Sequence, residues 1–222
     1  MCFSSTASFI ASSGLALVGV ATLKNTTHTH ERFFAAIPLA FSAQQAIEGF
    51  LWLILTHGGY EDAQHVLTFF YAVFVGIIWP ILVPTSIYFI EPDKKRKTYL
   101  AWVISLGVGF AIYTAVTLFF YGVTAQIAND CIFYQSPSPT GIELLLFYLI
   151  ATCAGFFISS VNHFKSLGVF FVTSFVIAYY FYTLNFISVW CFFAAIISCL
   201  IYLHFKPSIA LNKALAFYRV RK

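Results

Sequence analysis

If this chain crosses a membrane as seven helices, all twelve of its Lys and Arg residues fall on the same side of that membrane. A helix needs about 20 mostly apolar residues to cross a bilayer, and the apolar runs predict such helices at about 4–24, 33–57, 64–90, 97–121, 141–161, 165–183 and 185–205. Positive side chains collect on the cytoplasmic side of a membrane. The pattern therefore predicts an all-α seven-helix bundle with its N-terminus outside and its C-terminus in the cytoplasm. The basic residues are Lys24, Arg32, Lys94, Lys95, Arg96, Lys97, Lys165, Lys206, Lys213, Arg219, Arg221 and Lys222.

The composition indicates that lipid is the solvent for most of the protein surface. The chain is 60% hydrophobic and 9% charged, whereas soluble proteins carry roughly 25% charged residues. The long apolar runs exclude a membrane β-barrel, whose strands alternate apolar and polar residues. The predicted cytoplasmic loops account for the net charge of +4, so no nucleic-acid partner is expected. The bilayer is the predicted partner, and the oligomeric state is left open.

The chain divides into one membrane domain, 1–206, and a basic cytoplasmic tail, 207–222. Apolar residues spaced among basic ones in this tail are typical of an amphipathic helix on the inner leaflet, although an unstructured tail fits the same residues. The longest predicted outer connection is 122–140. Loops of this length are often functional, and we expect this one to cap the outer mouth of the bundle.

An ionisable residue inside a predicted membrane helix is the main functional signal. Glu48 lies near mid-bilayer, where a charge costs ~2.5–3.5 kcal/mol. Gln44, Gln45 and Trp52 lie three or four residues from it, which places them on the same helical face. The stripe formed by these four residues predicts a proton or cation site, or an anchor for a polar solute, beside an internal cavity. The alternative is a neutral Glu48 that joins helices by hydrogen bonds.

Other residues inside the predicted helices are candidates for the same site. Trp79 precedes Pro80, which removes a backbone donor and kinks the helix. The kink either sets the shape of the helix or frees carbonyl groups for a ligand. Trp190 and Ser188 of the last helix are expected to point inward, where the tryptophans would wall a substrate or ion cavity.

Histidine and cysteine residues near the predicted membrane surfaces are weaker candidates. His163, in a short cytoplasmic turn, is either a gate or anion contact or an ordinary turn residue. Cys2 and His65 are weak candidates for a metal site, because no pair has the spacing of a known metal motif. The sequence does not identify a cofactor. Cys2 and Cys131 lie on the predicted oxidising side, so a disulfide between them is a further hypothesis.

Several blocks of the sequence resemble a family of uncharacterised bacterial seven-helix membrane proteins. The opening MCFSSTASF is similar to their usual MCFSATASF, and further matches are QQAIEG with Trp52, Trp79-Pro80 with Pro84 and Glu91, Ser159-Ser160 with His163, and SVWCFFAA at 188–195. The resemblance implies a multi-pass protein of the bacterial inner membrane and supplies no activity. It also implies that the family pattern includes Cys2, Glu48, Trp79, His163 and Trp190.

Three classes of function fit these observations. The favoured class is a transporter or channel for a small solute, a proton or a cation, in which Glu48 is the coupling or selectivity carboxylate. The second is an intramembrane enzyme or a metal- or cofactor-binding protein with its site near the outer face. The third is a sensor or assembly partner, which predicts a dry core without a cavity at Glu48. The chain shows no convincing internal repeat, which counts against an inverted-repeat transporter.

Overall fold

The computed structural model describes residues 4–137 and 141–205 and contains, within them, seven long helical segments. Six are long and apolar enough to cross a membrane, and α5 is a shorter apolar helix. The seven predicted helices are therefore present, with ends shifted by a few residues. The side of the membrane that each end faces stays a prediction. The segments are α1 Ser5–Asn25, α2 Thr29–His57, α3 Glu61–Ile90, α4 Lys94–Tyr121, α5 Ile142–Ile158, α6 Phe164–Phe181 and α7 Phe186–Phe205.

Local sequence signals explain where several helices begin and end. Ser4 precedes α1 and its hydroxyl accepts a hydrogen bond from the Ala7 amide at 3.2 Å. Asp93 caps α4 in the same way through a 2.9 Å bond from the Arg96 amide, because polar side chains satisfy the free amides of a first turn. Beyond the end of α2, Gly58 has a φ of 71°, which glycine adopts without steric cost.

Two helices are locally irregular near their prolines. In α2 a short 3₁₀ turn and one α-turn precede the regular helix Ile37–His57, which begins beside Pro38. In α3 a π-helical turn, Phe74–Ile78, separates two α-helical parts and ends where Trp79-Pro80 begins. Proline supplies no amide to the preceding turn, which accounts for the altered hydrogen bonding. Single π-turns of this kind occur frequently at functional sites.

Small residues bring neighbouring helices close together. A Cβ on Gly107 of α4 would overlap the Pro80 carbonyl group of α3. Between α1 and α2, Ser12 and Ser42 donate to each other's backbone oxygens at 2.9 and 2.8 Å. Close backbone approach and inter-helix hydrogen bonds stabilise membrane bundles, since helices gain no hydrophobic energy by leaving lipid. The Pro80 carbonyl, which has no amide donor four residues on because that residue is Pro84, lies against Gly107 of α4.

The connection between α4 and α5 contains a β-hairpin, which the prediction of an all-α fold missed. Strand β1, Thr124–Ala128, pairs antiparallel with β2, Cys131–Gln135. The turn residues Asn129 and Asp130 have φ values of 50° and 55°. Asn and Asp tolerate this conformation, which two-residue hairpin turns require. The signal was present in the sequence, but the strands are only five residues each.

The hairpin packs against one end of the bundle, and that this end is the outer mouth stays a prediction. Gln64 of α3 donates to the Ala125 carbonyl at 3.0 Å, and Asn185, just before α7, donates to the Ala128 carbonyl at 2.5 Å. The fully buried Ile132 belongs to an apolar cluster that includes Trp52 of α2. The hairpin is thus attached to three separate parts of the helical bundle.

Two predictions fall outside the described residues. The tail 207–222 and Cys2 both lie there, so neither the amphipathic tail helix nor the disulfide between Cys2 and Cys131 is tested. Cys131 itself is fully buried beneath the hairpin turn.

Candidate functional site

The Glu48 side chain is fully buried in the middle of α2 and joins two helices. Its Oε2 accepts a 3.0 Å hydrogen bond from Nε2 of Gln45. Its Oε1 accepts a hydrogen bond from the hydroxyl group of Ser188 in α7. The two are 140 positions apart in the chain. The structure therefore brings together Glu48, Gln45 and Ser188, all of which the sequence placed in the site.

Gln44 connects the same face of α2 to α3. The indole Nε1 of Trp79 donates to Oε1 of Gln44 at 2.7 Å. The Trp79 ring also stacks on Phe41, with 3.9 Å between ring centroids. Gln44 thus binds Trp79 rather than Glu48. The stripe on α2 consequently holds both α3 and α7 through polar side chains.

Several buried polar atoms of this face have no hydrogen-bond partner among the described residues. On α2 they are Nε2 of Gln44, Oε1 of Gln45 and Nε1 of Trp52, and a fourth such atom, Oγ of Ser8, lies on the neighbouring α1. The Gln44 amide has only the Cys191 thiol, a weak hydrogen-bond partner, beside it. Leaving such a group unpaired costs about 1–3 kcal/mol. Buried unpaired groups in a native protein indicate a water molecule, an ion or a functional role. The Glu48 face therefore has more polar groups than the helix–helix contacts use.

Trp190 lies apart from this hydrogen-bonded group. Its indole Nε1 donates to the backbone oxygen of Phe171 at 3.3 Å. Its ring packs edge-on against Tyr148, with 5.4 Å between centroids, and stacks with Phe186 at 5.9 Å. Trp190 therefore belongs to the aromatic core, and its role in the wall of a substrate or ion cavity stays a prediction.

Two cavities lie close to the site, and neither is lined by Glu48 or Gln45. One, of about 30 Å³, is lined by Trp79, Trp190 and Cys191 among other residues. The other, of about 220 Å³, also reaches Trp190 and Cys191. The Cys191 thiol lies beside the Gln44 amide. Neither of these two cavities is therefore the one expected beside Glu48 and Gln45.

Comparison with known proteins places the chain in a family without supplying an activity. The model of DUF6629, a family of unknown function, matches residues 1–214. The chain belongs to this family. No curated protein and no solved structure matches it significantly. Membership in an uncharacterised family is therefore confirmed, whereas the bacterial origin and the opening motif of DUF6629 stay expectations.

The structure of this DUF6629 protein does not bring His65 or His163, two of the weaker candidates, to Glu48. His65 is exposed on α3, so it cannot share a site with the fully buried Glu48. No group of three His, Cys, Asp or Glu residues with metal-binding geometry occurs within 4–137 and 141–205. His163 is exposed and precedes α6 with a φ of 72°. Such a left-handed conformation is uncommon for a residue other than glycine, and the role of His163 as a gate or anion contact stays a prediction.

A second buried carboxylate of the DUF6629 chain was not predicted as a site. Glu91, just after α3, accepts hydrogen bonds from the hydroxyl groups of Ser159 and Ser160 at 2.6 and 2.5 Å. It also accepts one from the Ser160 amide at 2.8 Å. Glu91 and the pair Ser159-Ser160 belong to separate blocks of the sequence, 68 and 69 positions apart, and nothing local indicated that these blocks meet. The cluster holds the ends of α3 and α5 together.

The Glu91 cluster predicts a loss of stability in acid. Burial alone would raise the pKa of Glu91, but the bonds from Ser159 and Ser160 outweigh burial and hold it below the ordinary 4.5. The stabilisation is therefore present above the ordinary pKa and lost as pH falls through the lower folded value. We expect the thermal midpoint to fall between pH 6 and about pH 3–4 more steeply in the wild type than in Glu91→Gln. Parallel pH profiles of the two proteins would contradict this role.

Proposed function

We propose that this protein conducts protons or monovalent cations across the membrane, with Glu48 as the ion-binding carboxylate. The observation that carries the proposal is a fully buried carboxylate surrounded by polar atoms that lack partners. Both hydrogen-bond donors of Glu48, Gln45 and Ser188, are neutral. A buried charge is costly unless it is paired, and within the described residues Glu48 accepts hydrogen bonds from neutral groups alone, so a bound proton or cation would neutralise it.

The chemistry of the group favours a cation over a neutral solute. Glu48 contributes carboxylate oxygens, Gln45 contributes an unpartnered amide oxygen, and Ser188 contributes a hydroxyl oxygen. Oxygen atoms of these types are the ligands that hard cations prefer. Intramembrane carboxylates also form proton relays in pumps and transporters.

The described arrangement corresponds to a closed state. The hairpin covers one end of the bundle beside Trp52, and Glu48 lines neither of the two cavities. Ion passage therefore requires movement of the hairpin, of α7 or of both. The bonds of Gln64 and Asn185 to the hairpin backbone are the contacts that such a movement would break.

Flux through reconstituted protein tests the proposal. Purified protein in liposomes that enclose a pH-sensitive dye should dissipate an imposed pH gradient, or admit Na⁺ or K⁺, faster than empty liposomes. Glu48→Gln should reduce this flux to the level of empty liposomes, because the amide is nearly isosteric but cannot ionise. Glu143→Gln is the matched control, since Glu143 is an exposed carboxylate at the start of α5 and should leave the flux unchanged. Two outcomes would contradict the proposal. One is a wild-type flux of H⁺, Na⁺ and K⁺ equal to that of empty liposomes, and the other is an undiminished flux in Glu48→Gln.

A sensor or assembly partner is the second candidate function. It is favoured by one observation, namely that Glu48 and Gln45 line neither of the two cavities. In this case Glu48 holds α2 and α7 together and moves no ion. The flux experiment distinguishes the two, because wild-type protein would then conduct none of the tested ions while remaining folded.

A further inference from the structure

The larger cavity is an open cleft that the proposed ion site does not use. It lies between α3, α4, α5 and α7, and the hairpin closes one of its ends. Its volume of about 220 Å³ is several times the roughly 30 Å³ that one water molecule takes up in the liquid. Among the residues that the structure describes, no Asp, Glu, Lys, Arg or His lines it. A molecule that fits this cleft is therefore neutral where it contacts the protein.

The cleft is elongated along the helices. Its α4 wall runs from Phe110 through Thr114 to Leu118, and its α5 wall runs from Gly141 through Leu144 to Tyr148. These residues follow at intervals of three or four, so each wall is a single stripe along its helix. The α4 stripe from Phe110 to Leu118 covers nine residues and is about 12 Å long, since its eight steps each rise 1.5 Å. An extended occupant parallel to the helices suits this shape better than a compact one.

Two of the hydroxyl groups that line the cleft already have acceptors within the protein. The Thr117 hydroxyl donates to the Thr114 carbonyl at 2.9 Å, and the Ser136 hydroxyl donates to the Gly122 carbonyl at 3.0 Å. Because these hydroxyl groups need no further acceptor, they do not select a polar ligand. The rest of the lining is mostly aliphatic and aromatic, and it includes Trp190, Thr114 and four tyrosines, namely Tyr71, Tyr113, Tyr134 and Tyr148.

We propose that this cleft binds an acyl chain of a bilayer phospholipid. The cleft is neutral, apolar and parallel to membrane-spanning helices, which is the orientation of lipid chains in a bilayer. Its α4 wall belongs to a helix whose opposite face exposes large apolar residues such as Ile112 and Phe119, so lipid surrounds the helix that borders the cleft. The inference is independent of the ion site, because it does not involve Glu48.

Tryptophan quenching by brominated phosphatidylcholine tests the proposal directly. Bromine atoms on acyl chains quench tryptophans that they contact. Trp102 is 72% exposed and would mask the signal, so the experiment uses full-length Trp102→Phe protein in brominated and in ordinary phosphatidylcholine vesicles. We expect its emission to be quenched by the brominated lipid, and the added substitution Trp190→Phe to remove most of that quenching. The other two tryptophans, Trp52 and Trp79, are buried and line no part of the cleft.

Filling the cleft provides the second arm of the experiment. Ala72 lines the cleft, and Ala72→Phe in the Trp102→Phe background should abolish the quenching of Trp190. Leu144→Phe, at the α5 wall, should also lower the quenching of Trp190. This second variant keeps the test decisive if Ala72→Phe does not fold. Ala101→Phe is the matched control, because Ala101 is exposed on α4 outside the cleft, and it should leave the quenching unchanged. The proposal is overturned if Trp190→Phe removes no quenching, or if Ala72→Phe and Leu144→Phe leave it at the control level.

Discussion

Gly107→Val should lower the free energy of unfolding by about 3 kcal/mol or more. Overpacking a well-packed interior costs about 1–3 kcal/mol when side chains can adjust. Here the obstacle is the backbone carbonyl of Pro80, which can move only if α3 and α4 separate. The measurement is unfolding of the purified protein in increasing dodecyl sulfate, followed by tryptophan fluorescence.

A glycine two positions away provides the control for Gly107→Val. A Cβ at Gly109 would meet no atom within 4 Å, and both glycines lie in α4. Gly109→Val should therefore be close to neutral, although the two substitutions add the same side chain to the same helix. Equal unfolding midpoints for the two variants would show that α3 and α4 do not approach as closely as the structure indicates.

Glu48→Leu is expected to be the second most damaging substitution, with a loss of about 1–3 kcal/mol. The change leaves Nε2 of Gln45 and the Ser188 hydroxyl without their present acceptor, and an unpaired buried group costs about this amount. The loss is partly offset because Leu avoids the cost of burying a carboxyl group. Glu48→Gln should be much milder, because an amide can still bridge α2 and α7.

A double-mutant cycle between Glu48 and Ser188 separates the bond from other effects of the substitution. Residues in one hydrogen-bonded group show coupling of about 0.5–3 kcal/mol. Ser188→Ala should therefore cost less in the Glu48→Leu protein than in the wild type, as judged by the same dodecyl sulfate unfolding. Ser198→Ala is the control for the cycle, because the Ser198 hydroxyl bonds only within its own helix, to the Ala195 carbonyl. Additive effects for Glu48 and Ser188 would show that the bond between them does not stabilise the bundle.

The helices were predictable because their signals are local. Each long apolar run and each flanking polar segment lies within about thirty residues, which is the scale at which apolar length decides membrane insertion. The shared face of Gln44, Gln45 and Glu48 followed from helical spacing in the same way. The hairpin was missed because two five-residue strands carry a weak signal beside such long apolar runs.

The sequence by itself determined the class of protein, the seven helices and the residues that carry the buried polar face of α2. Only the tertiary structure decided that Ser188 meets Glu48, that Gln44 receives the Trp79 indole, and that Glu91 binds Ser159. These pairs join residues 35 to 140 positions apart. Helical periodicity states which face a side chain occupies, but the partner opposite that face depends on how whole helices pack. The cleft could not be predicted from any single segment of the sequence for the same reason, because its walls come from four helices and the hairpin.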